Sequence, residues 1–138
     1  MKSWYHLSFG IFATIFLNRG IELIRVKHYA EAVEDLSKVI KLKSYYEGYA
    51  YQNRGSAYLE SRQYLLALND INNAIELLTT NKAKLYLGKA RTLEGLNDST
   101  GAMQAYKQAC TLGLPIACQK SGQSGSPVKI LTEDLLRP

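Results

Sequence analysis

The chain has 138 residues and a formal net charge of +5, from 17 Lys and Arg against 12 Asp and Glu. A chain of this length corresponds to one domain, and it can fold without stabilising metal ions or disulfide bonds. Its 46% hydrophobic content excludes a wholly disordered chain. Two Cys and two His exclude a disulfide-dense mini-fold and a four-thiolate zinc site, and no run of like charges forms a polyanion-binding arm.

The N-terminal segment, residues 1–12, is predicted to extend the first helix. Residues 7–17 (LSFGIFATIFL) are apolar on all sides and run directly into the repeat described next. They are too few to span a bilayer, but they match the length of a signal-peptide core. Two interpretations stay open: a packed helical extension, and a signal-like segment of an exported protein. The sequence therefore leaves cytoplasmic and exported or periplasmic locations as alternatives.

An internal repeat with an offset of 35 residues occupies most of the chain. It divides the sequence into three blocks, about 13–47, 48–82 and 83–117. The tripeptide Asn-Arg-Gly at 18–20 recurs at 53–55. Three of the matching columns hold an aromatic residue, a small residue and an alanine: Phe16, Tyr51 and Tyr86; Gly20, Gly55 and Ala90; Ala32, Ala67 and Ala102.

Each block is predicted to form two antiparallel helices. In the second block, Tyr51, Gly55 and Tyr58 share one helical face, and a second apolar run follows the polar break at 60–63. The small residue of the first run lets the two helices approach closely. Since strand-like alternation is absent from the sequence, the predicted fold class is all-α.

These residues resemble the motif of the tetratricopeptide repeats, and the Asn-Arg-Gly form is similar to that of bacterial members of the family. The resemblance implies a right-handed solenoid of three helical hairpins over residues 13–120. It also implies a short C-terminal capping segment, which Pro115–Lys120 would begin as a fourth helix. Residues 121–138 are predicted to form a flexible tail with a short amphipathic segment at 128–136.

Two cysteines flank the start of that capping segment. Cys110 and Cys118, in the stretch ACTLGLPIAC, resemble the bridged cysteines of the Sel1-like relatives of the family. The resemblance makes them a candidate disulfide pair, as expected for an exported protein, whereas in the cytosol they would be buried thiols. Both alternatives stay open at this point.

A charged pair recurs at an offset of 16 residues. Arg19 with Asp35, and Arg54 with Asp70, lie at matching places in the first two blocks. The third block has Lys89 and Ala105 there instead. We predict an ion pair between the two helices of each of the first two hairpins, with a structural role.

The sequence does not predict catalysis, a cofactor or a metal site. The glycines of SGQSGS lack the lysine and the strand-to-helix context of a phosphate-binding loop. His28 lies in a polar turn between two helices, where solvent exposure is the expected state. We therefore predict a non-enzymatic protein-protein interaction module.

The resemblance also implies where a partner would bind, namely on a concave groove lined by the first helix of each hairpin. An apolar, a mixed and a basic part follow one another, which fits a protein or peptide with an apolar and an acidic portion. The groove positions are Thr14, Leu17, Ile21 and Ile24; Tyr49, Gln52, Asn53, Ser56 and Leu59; Lys84, Leu87, Arg91 and Glu94.

Four alternatives stay open for parts of this surface. Leu17, Ile21 and Ile24 would merely pack beneath residues 1–12. In a second alternative, residues 1–17 would contact a membrane. In a third, the apolar N-terminal helix or the C-terminal end would pair with a second copy of the chain. A nucleic acid would bind through the cations of the third block and the abundant tyrosines. These cations are Lys82, Lys84, Lys89 and Arg91.

Overall fold

The computed structural model describes the backbone of residues 2–122 and the side chains of residues 8–122. In this part of the chain there are seven α-helices and no strand, so the predicted all-α class is confirmed. The predicted amphipathic segment at 128–136 lies outside the described residues. The helices are α1 (Lys2–Arg25), α2 (Tyr29–Lys41), α3 (Glu47–Glu60), α4 (Tyr64–Leu77), α5 (Lys82–Gly95), α6 (Ser99–Thr111) and α7 (Pro115–Lys120).

Consecutive helices pack as hairpins, α1 with α2, α3 with α4, and α5 with α6. The chain divides into two compact units, which we call unit 1 (Met1–Leu78) and unit 2 (Thr79–Pro138). In unit 1 the helix α2 also packs on α3, and in unit 2 the helix α7 packs on α6. The helix predicted to begin the capping segment at Pro115–Lys120 is therefore present as α7.

The turn inside each hairpin is built in the same way. Lys27, Arg62 and Asn97 adopt positive φ values of 64°, 62° and 61°, at one repeated column of the sequence. The residue after each of them donates its backbone N–H to a carbonyl five residues earlier, as in His28 N to Leu23 O at 2.8 Å. This hydrogen bond caps the C-termini of α1, α3 and α5. The residue with positive φ turns the chain toward the next helix.

The small residues of the repeat permit close helix contact, as predicted. A methyl group added at Gly20 would lie 2.8 Å from Leu36 Cγ, and one added at Gly55 would lie 3.0 Å from Ile71 Cγ1. Both distances are shorter than ordinary carbon contacts. The absence of a side chain at these places therefore sets the spacing of α1 on α2 and of α3 on α4.

The core of unit 1 includes a cluster contributed by α1, α2 and α3. Its buried members are Ala13, Leu17, Leu36, Val39 and Ala50. In unit 2 the buried side chains are mostly small, including Ala90, Ala102, Ala105, Ala109 and Ala117. Small side chains on facing helices again favour close packing.

No helix within the described part of the chain combines the length and the apolar character that crossing a membrane requires.

Candidate functional site

The first candidate surface is the face that α1 and α3 present in unit 1. A helical period of 3.6 residues puts Thr14, Leu17, Ile21 and Ile24 on one side of α1. The structure buries Leu17 to 7% exposure in the core cluster and packs Ile24 against that cluster, whereas Ile21 is exposed. Leu17 therefore supports the face from beneath, and Ile21 contributes surface to it.

The α3 part of this face is half-buried and mostly polar. Gln52, Asn53 and Leu59 are partly covered, and Ser56 is exposed. Asn53 donates its side-chain amide to Tyr49 O at 2.8 Å, and Ser56 donates its hydroxyl to Gln52 O at 3.1 Å. On α1, Thr14 donates in the same way to Gly10 O at 2.9 Å. These polar side chains are thus oriented by the backbone of their own helices.

At the start of α3 the predicted site residue Tyr49 belongs to an aromatic cluster whose other members, Tyr45 and Tyr46, were not predicted. Tyr45 is 84% exposed, and its ring meets that of Tyr46 edge-on, with centroids 5.6 Å apart. The Tyr45 and Tyr49 centroids are 6.4 Å apart, and Tyr46 and Tyr49 both pack on the core cluster. The sequence signal was the pair Tyr45-Tyr46, which has no aromatic counterpart at the repeat offset. Tyr45 and Tyr46 therefore add aromatic surface next to Tyr49.

The second candidate surface is the corresponding face of α5 in unit 2. Lys84, Arg91 and Glu94 are exposed there, and Leu87 is half-buried. The phenol of the buried Tyr106, on α6, donates to the Glu94 carboxylate. Burial, followed by this hydrogen bond, raises the pKa of Tyr106 to about 12. Glu94 is therefore fixed to α6, and Lys84 and Arg91 give the face a net positive charge.

Both predicted ion pairs are present, and each joins the two helices of one hairpin. Arg19 donates from Nε to Asp35 Oδ2 at 2.5 Å, and Arg54 donates from Nε to Asp70 Oδ2 at 2.7 Å. Arg54 also donates from Nη1 to Ser37 Oγ at 2.9 Å. Since Ser37 lies on α2, Arg54 connects three helices of unit 1.

Charge and aromatic contacts stabilise these pairs. The hydrogen bond from Arg19 holds the pKa of Asp35 below its usual range, although burial opposes this effect. The hydrogen bond to Asp70 raises the pKa of Arg54. The Arg54 guanidinium also lies 5.6 Å from the Tyr51 ring centroid and 5.7 Å from that of Tyr58. The two pairs are thus present as predicted, and their structural role stays a prediction.

Some of the periodic tyrosines also make contacts within the chain. Tyr51 and Tyr58 flank Arg54, and Tyr106 is buried, so these three rings are not free platforms for nucleic-acid bases. Of the third-block cations, Lys84 and Arg91 are exposed. Lys82 and Lys89 are half-buried. Stacking of bases therefore finds little support among the repeated tyrosines.

Cys110 in α6 and Cys118 in α7 form a disulfide in the structure, with Cα atoms 4.6 Å apart. Both residues are buried. The bond fastens the short helix α7 to the end of the last hairpin.

Comparison with known proteins agrees with this fold. Residues 83–112 match a protein-family model described as a tetratricopeptide repeat, and this range falls within the predicted third block. A solved structure titled "Crystal structure of MamA" is similar to this chain, with a TM-score of 0.68 and 21% sequence identity. The similarity covers 89% of this chain and 76% of that chain. The predicted fold class, a helical-hairpin solenoid of the tetratricopeptide type, is thereby confirmed.

Proposed function

We propose that this chain is a non-enzymatic protein-interaction module that binds a partner protein or peptide through the first helices of its hairpins. The observation that carries the proposal is the fold itself, a series of helical hairpins. Each of α1, α3 and α5 keeps some side chains exposed although it pairs with the helix that follows, among them Ile21, Ser56 and Arg91. Function then depends on complementary shape and charge and needs no chemical step.

Unit 1 offers a mixed surface, in which apolar and aromatic side chains lie beside the polar positions of α3. Ile21 and Tyr45 are exposed, and Tyr49 and Leu59 are half-buried beside polar positions on α3. Tyrosines that are held by neighbouring rings bury large area at little entropic cost, which makes them effective contacts for a partner. This surface suits an apolar portion of the partner.

Unit 2 offers a basic surface. Lys84 and Arg91 extend from α5 on either side of Leu87, and Glu94 is held by Tyr106. Arginine and lysine at an exposed helical face favour acidic side chains and speed association more than they strengthen it. This surface suits an acidic portion of the partner.

The basic surface is tested with Lys84→Glu combined with Arg91→Glu. The matched control is Lys107→Glu combined with Lys120→Glu, which reverses two exposed cations on α6 and α7. Partners captured by wild-type protein are identified by mass spectrometry, and direct binding is then measured with each purified partner. We expect about tenfold weaker binding for the α5 variant and little change for the control. Equal loss with both variants would contradict the assignment.

The aromatic surface is tested with Tyr45→Ala and, separately, Ile21→Glu. Leu65→Glu is the control because Leu65 is a highly exposed apolar residue on α4. We expect weaker binding of the same purified partner for the two test variants alone. RNA binding by wild-type protein at low salt that falls steeply with added salt, without any protein partner, would instead support a nucleic-acid function.

A further inference from the structure

The N-terminal half of α1 exposes an apolar surface that the hairpin leaves uncovered. Phe9, Ile11, Phe12 and Ile15 are between 47% and 60% exposed. At 100° per residue they cover an arc of about 160° of the helix circumference. A surface helix that packs on its own protein carries an apolar stripe at least about 100° wide. This arc exceeds that minimum although the hairpin leaves it exposed, and we call it the α1 apolar surface.

The sequence around this surface lacks charge. Residues 3–18 contain no Asp, Glu, Lys or Arg. One cation, Arg19, follows directly at the C-terminal border of this stretch. The only tryptophan of the sequence, Trp4, also lies in this stretch. A charge-free stretch that includes a tryptophan and ends at a basic residue is typical of segments that enter a lipid interface.

Two cations mark the border of the α1 apolar surface. Lys38 Nζ lies 4.9 Å from the centroid of the Phe16 ring, and Arg19 Cζ lies 5.7 Å from it. Both side chains are more than half exposed. The buried Asp35 carboxylate is the acid paired with both, at 2.5 Å from Arg19 Nε and 3.9 Å from Lys38 Nζ. These three groups sum to one positive charge. The next charged residues of α1, Glu22 and Arg25, pair with each other, and Glu31 is a further acid that acts on Arg19.

We propose that the α1 apolar surface inserts into the surface of an anionic lipid bilayer, with Arg19 and Lys38 at the level of the headgroups. A helix that lies along a bilayer surface buries its apolar face roughly 5 to 10 Å into the boundary between headgroups and acyl chains, and an apolar arc of nearly half the circumference suits that position. Lipid chains can cover an arc of any width, and anionic headgroups complement the positive border. The occupant is therefore a bilayer, and a second copy of the chain is the competing outcome.

The apolar part is tested by flotation of the full chain with vesicles of phosphatidylcholine containing about one-quarter phosphatidylglycerol. Trp4 reports insertion directly through a blue shift of its emission. We expect Ile11→Glu combined with Ile15→Glu to weaken vesicle binding at least about tenfold. Leu65→Glu combined with Leu77→Glu, two exposed leucines on α4, is the matched control and should bind like wild-type protein.

The charge part is tested by comparing anionic with pure phosphatidylcholine vesicles. Lys38→Ala should reduce the preference for anionic vesicles by about fivefold, because one cation near a charged surface contributes that much. Lys41→Ala removes an exposed lysine from the same helix and should reduce it less.

The proposal is overturned if wild-type protein does not bind vesicles, or if the Ile11 and Ile15 variant binds as well as wild type. Sedimentation velocity identifies the competing occupant. A dimer that the Ile11 and Ile15 variant dissociates, together with no vesicle binding, would assign the surface to a second copy. Helical circular dichroism of every variant shows whether it is folded.

Discussion

Arg54 and Asp70 are joined by two parallel hydrogen bonds, from Nε to Oδ2 at 2.7 Å and from Nη2 to Oδ1 at 2.9 Å. The Asp70 side chain is 1% exposed and that of Arg54 is 18% exposed. A two-pronged contact between a planar guanidinium and a carboxylate fixes orientation as well as distance. The pair therefore sets how α3 and α4 lie against each other.

Removing either partner of this pair should destabilise the protein. Arg54→Ala leaves a buried carboxylate without its cation, and Asp70→Ala leaves a largely buried guanidinium, so each should lower the free energy of unfolding by about 3 kcal/mol. The double variant should cost about 2 kcal/mol less than the sum of the two. Urea unfolding of the four proteins measures this coupling, and strictly additive losses would contradict it.

Ser37→Ala separates the contact with α2 from the pair itself. Arg54 keeps both hydrogen bonds to Asp70 in this variant and loses only the one to Ser37 Oγ at 2.9 Å. We expect a loss of about 1 kcal/mol, which the same urea titration measures. A loss as large as that of Asp70→Ala would place the main function of Arg54 on α2 instead.

The Arg19–Asp35 pair should make stability depend on acid pH. The pKa of Asp35 is lowered in the folded state, chiefly by its hydrogen bond with Arg19. Its contribution is therefore present above the ordinary aspartate pKa, near 4, and is lost as pH falls through the lower folded pKa. The difference in unfolding free energy between wild type and Asp35→Asn should shrink over that range.

Glu34→Gln is the control for this measurement, because it removes one exposed negative charge from the same helix. Denaturant unfolding at neutral pH and at several acid pH values compares the three proteins. An Asp35→Asn difference that stays constant with pH would contradict the assigned pair.

The repeat offset was sufficient to predict the hairpins, the two ion pairs and the close contacts at Gly20 and Gly55. These features recur because each hairpin solves the same packing problem, so they are visible in the sequence as columns. The burial of Leu17 with residues of α2 and α3, rather than beneath residues 1–12, was not predictable in this way. It depends on which side of α1 meets α3, and helical spacing alone does not determine that. The exposure of Tyr45 was not predictable from the repeat either, because no aromatic residue stands at the repeat offset from it.

The partner-binding residues were harder to predict from the sequence than the fold was. Groove positions were carried over from a family resemblance, and the structure shows that its members differ in exposure, from the buried Leu17 to the exposed Ser56. The bacterial Asn-Arg-Gly form and the Sel1-like cysteine spacing stay predictions. Residues that contact a partner need not recur at the repeat offset, so the repeat alone does not identify them.

Gly20 and Gly10 lie on the same helix and should respond oppositely to alanine. At Gly20 the added methyl group would lie 2.8 Å from the buried Leu36, so overpacking should outweigh the gain in helix propensity and give a net loss of about 1 kcal/mol. At Gly10 an added methyl group would meet nothing within 4 Å among the described residues apart from the backbone of its own helix, so alanine should stabilise by up to about 1 kcal/mol. Thermal unfolding of both variants tests this, and equal signs would contradict the packing argument.

Cys110 and Cys118 should not react with thiol reagents in native protein, because they are joined by a disulfide. We expect no free thiols under denaturing, non-reducing conditions and two after reduction. Because the bond closes a short loop between α6 and α7, its reduction should cost about 2 to 3 kcal/mol. Two thiols in freshly prepared protein would show that the bond is absent and would favour the cytoplasmic alternative.

Tyr106 should ionise later than an ordinary tyrosine. Burial and then the Glu94 hydrogen bond raise its pKa to about 12, from an ordinary value of 10.0. Its contribution to stability is therefore complete below pH 10 and is lost as pH rises toward 12. Phenolate absorbance of wild type minus Tyr106→Phe isolates this one group among the ten tyrosines. Glu94→Gln should lower its midpoint in part, because it removes the carboxylate and leaves the ring buried. A midpoint near 10 while helical circular dichroism is intact would show that the phenol is neither buried nor bonded to Glu94.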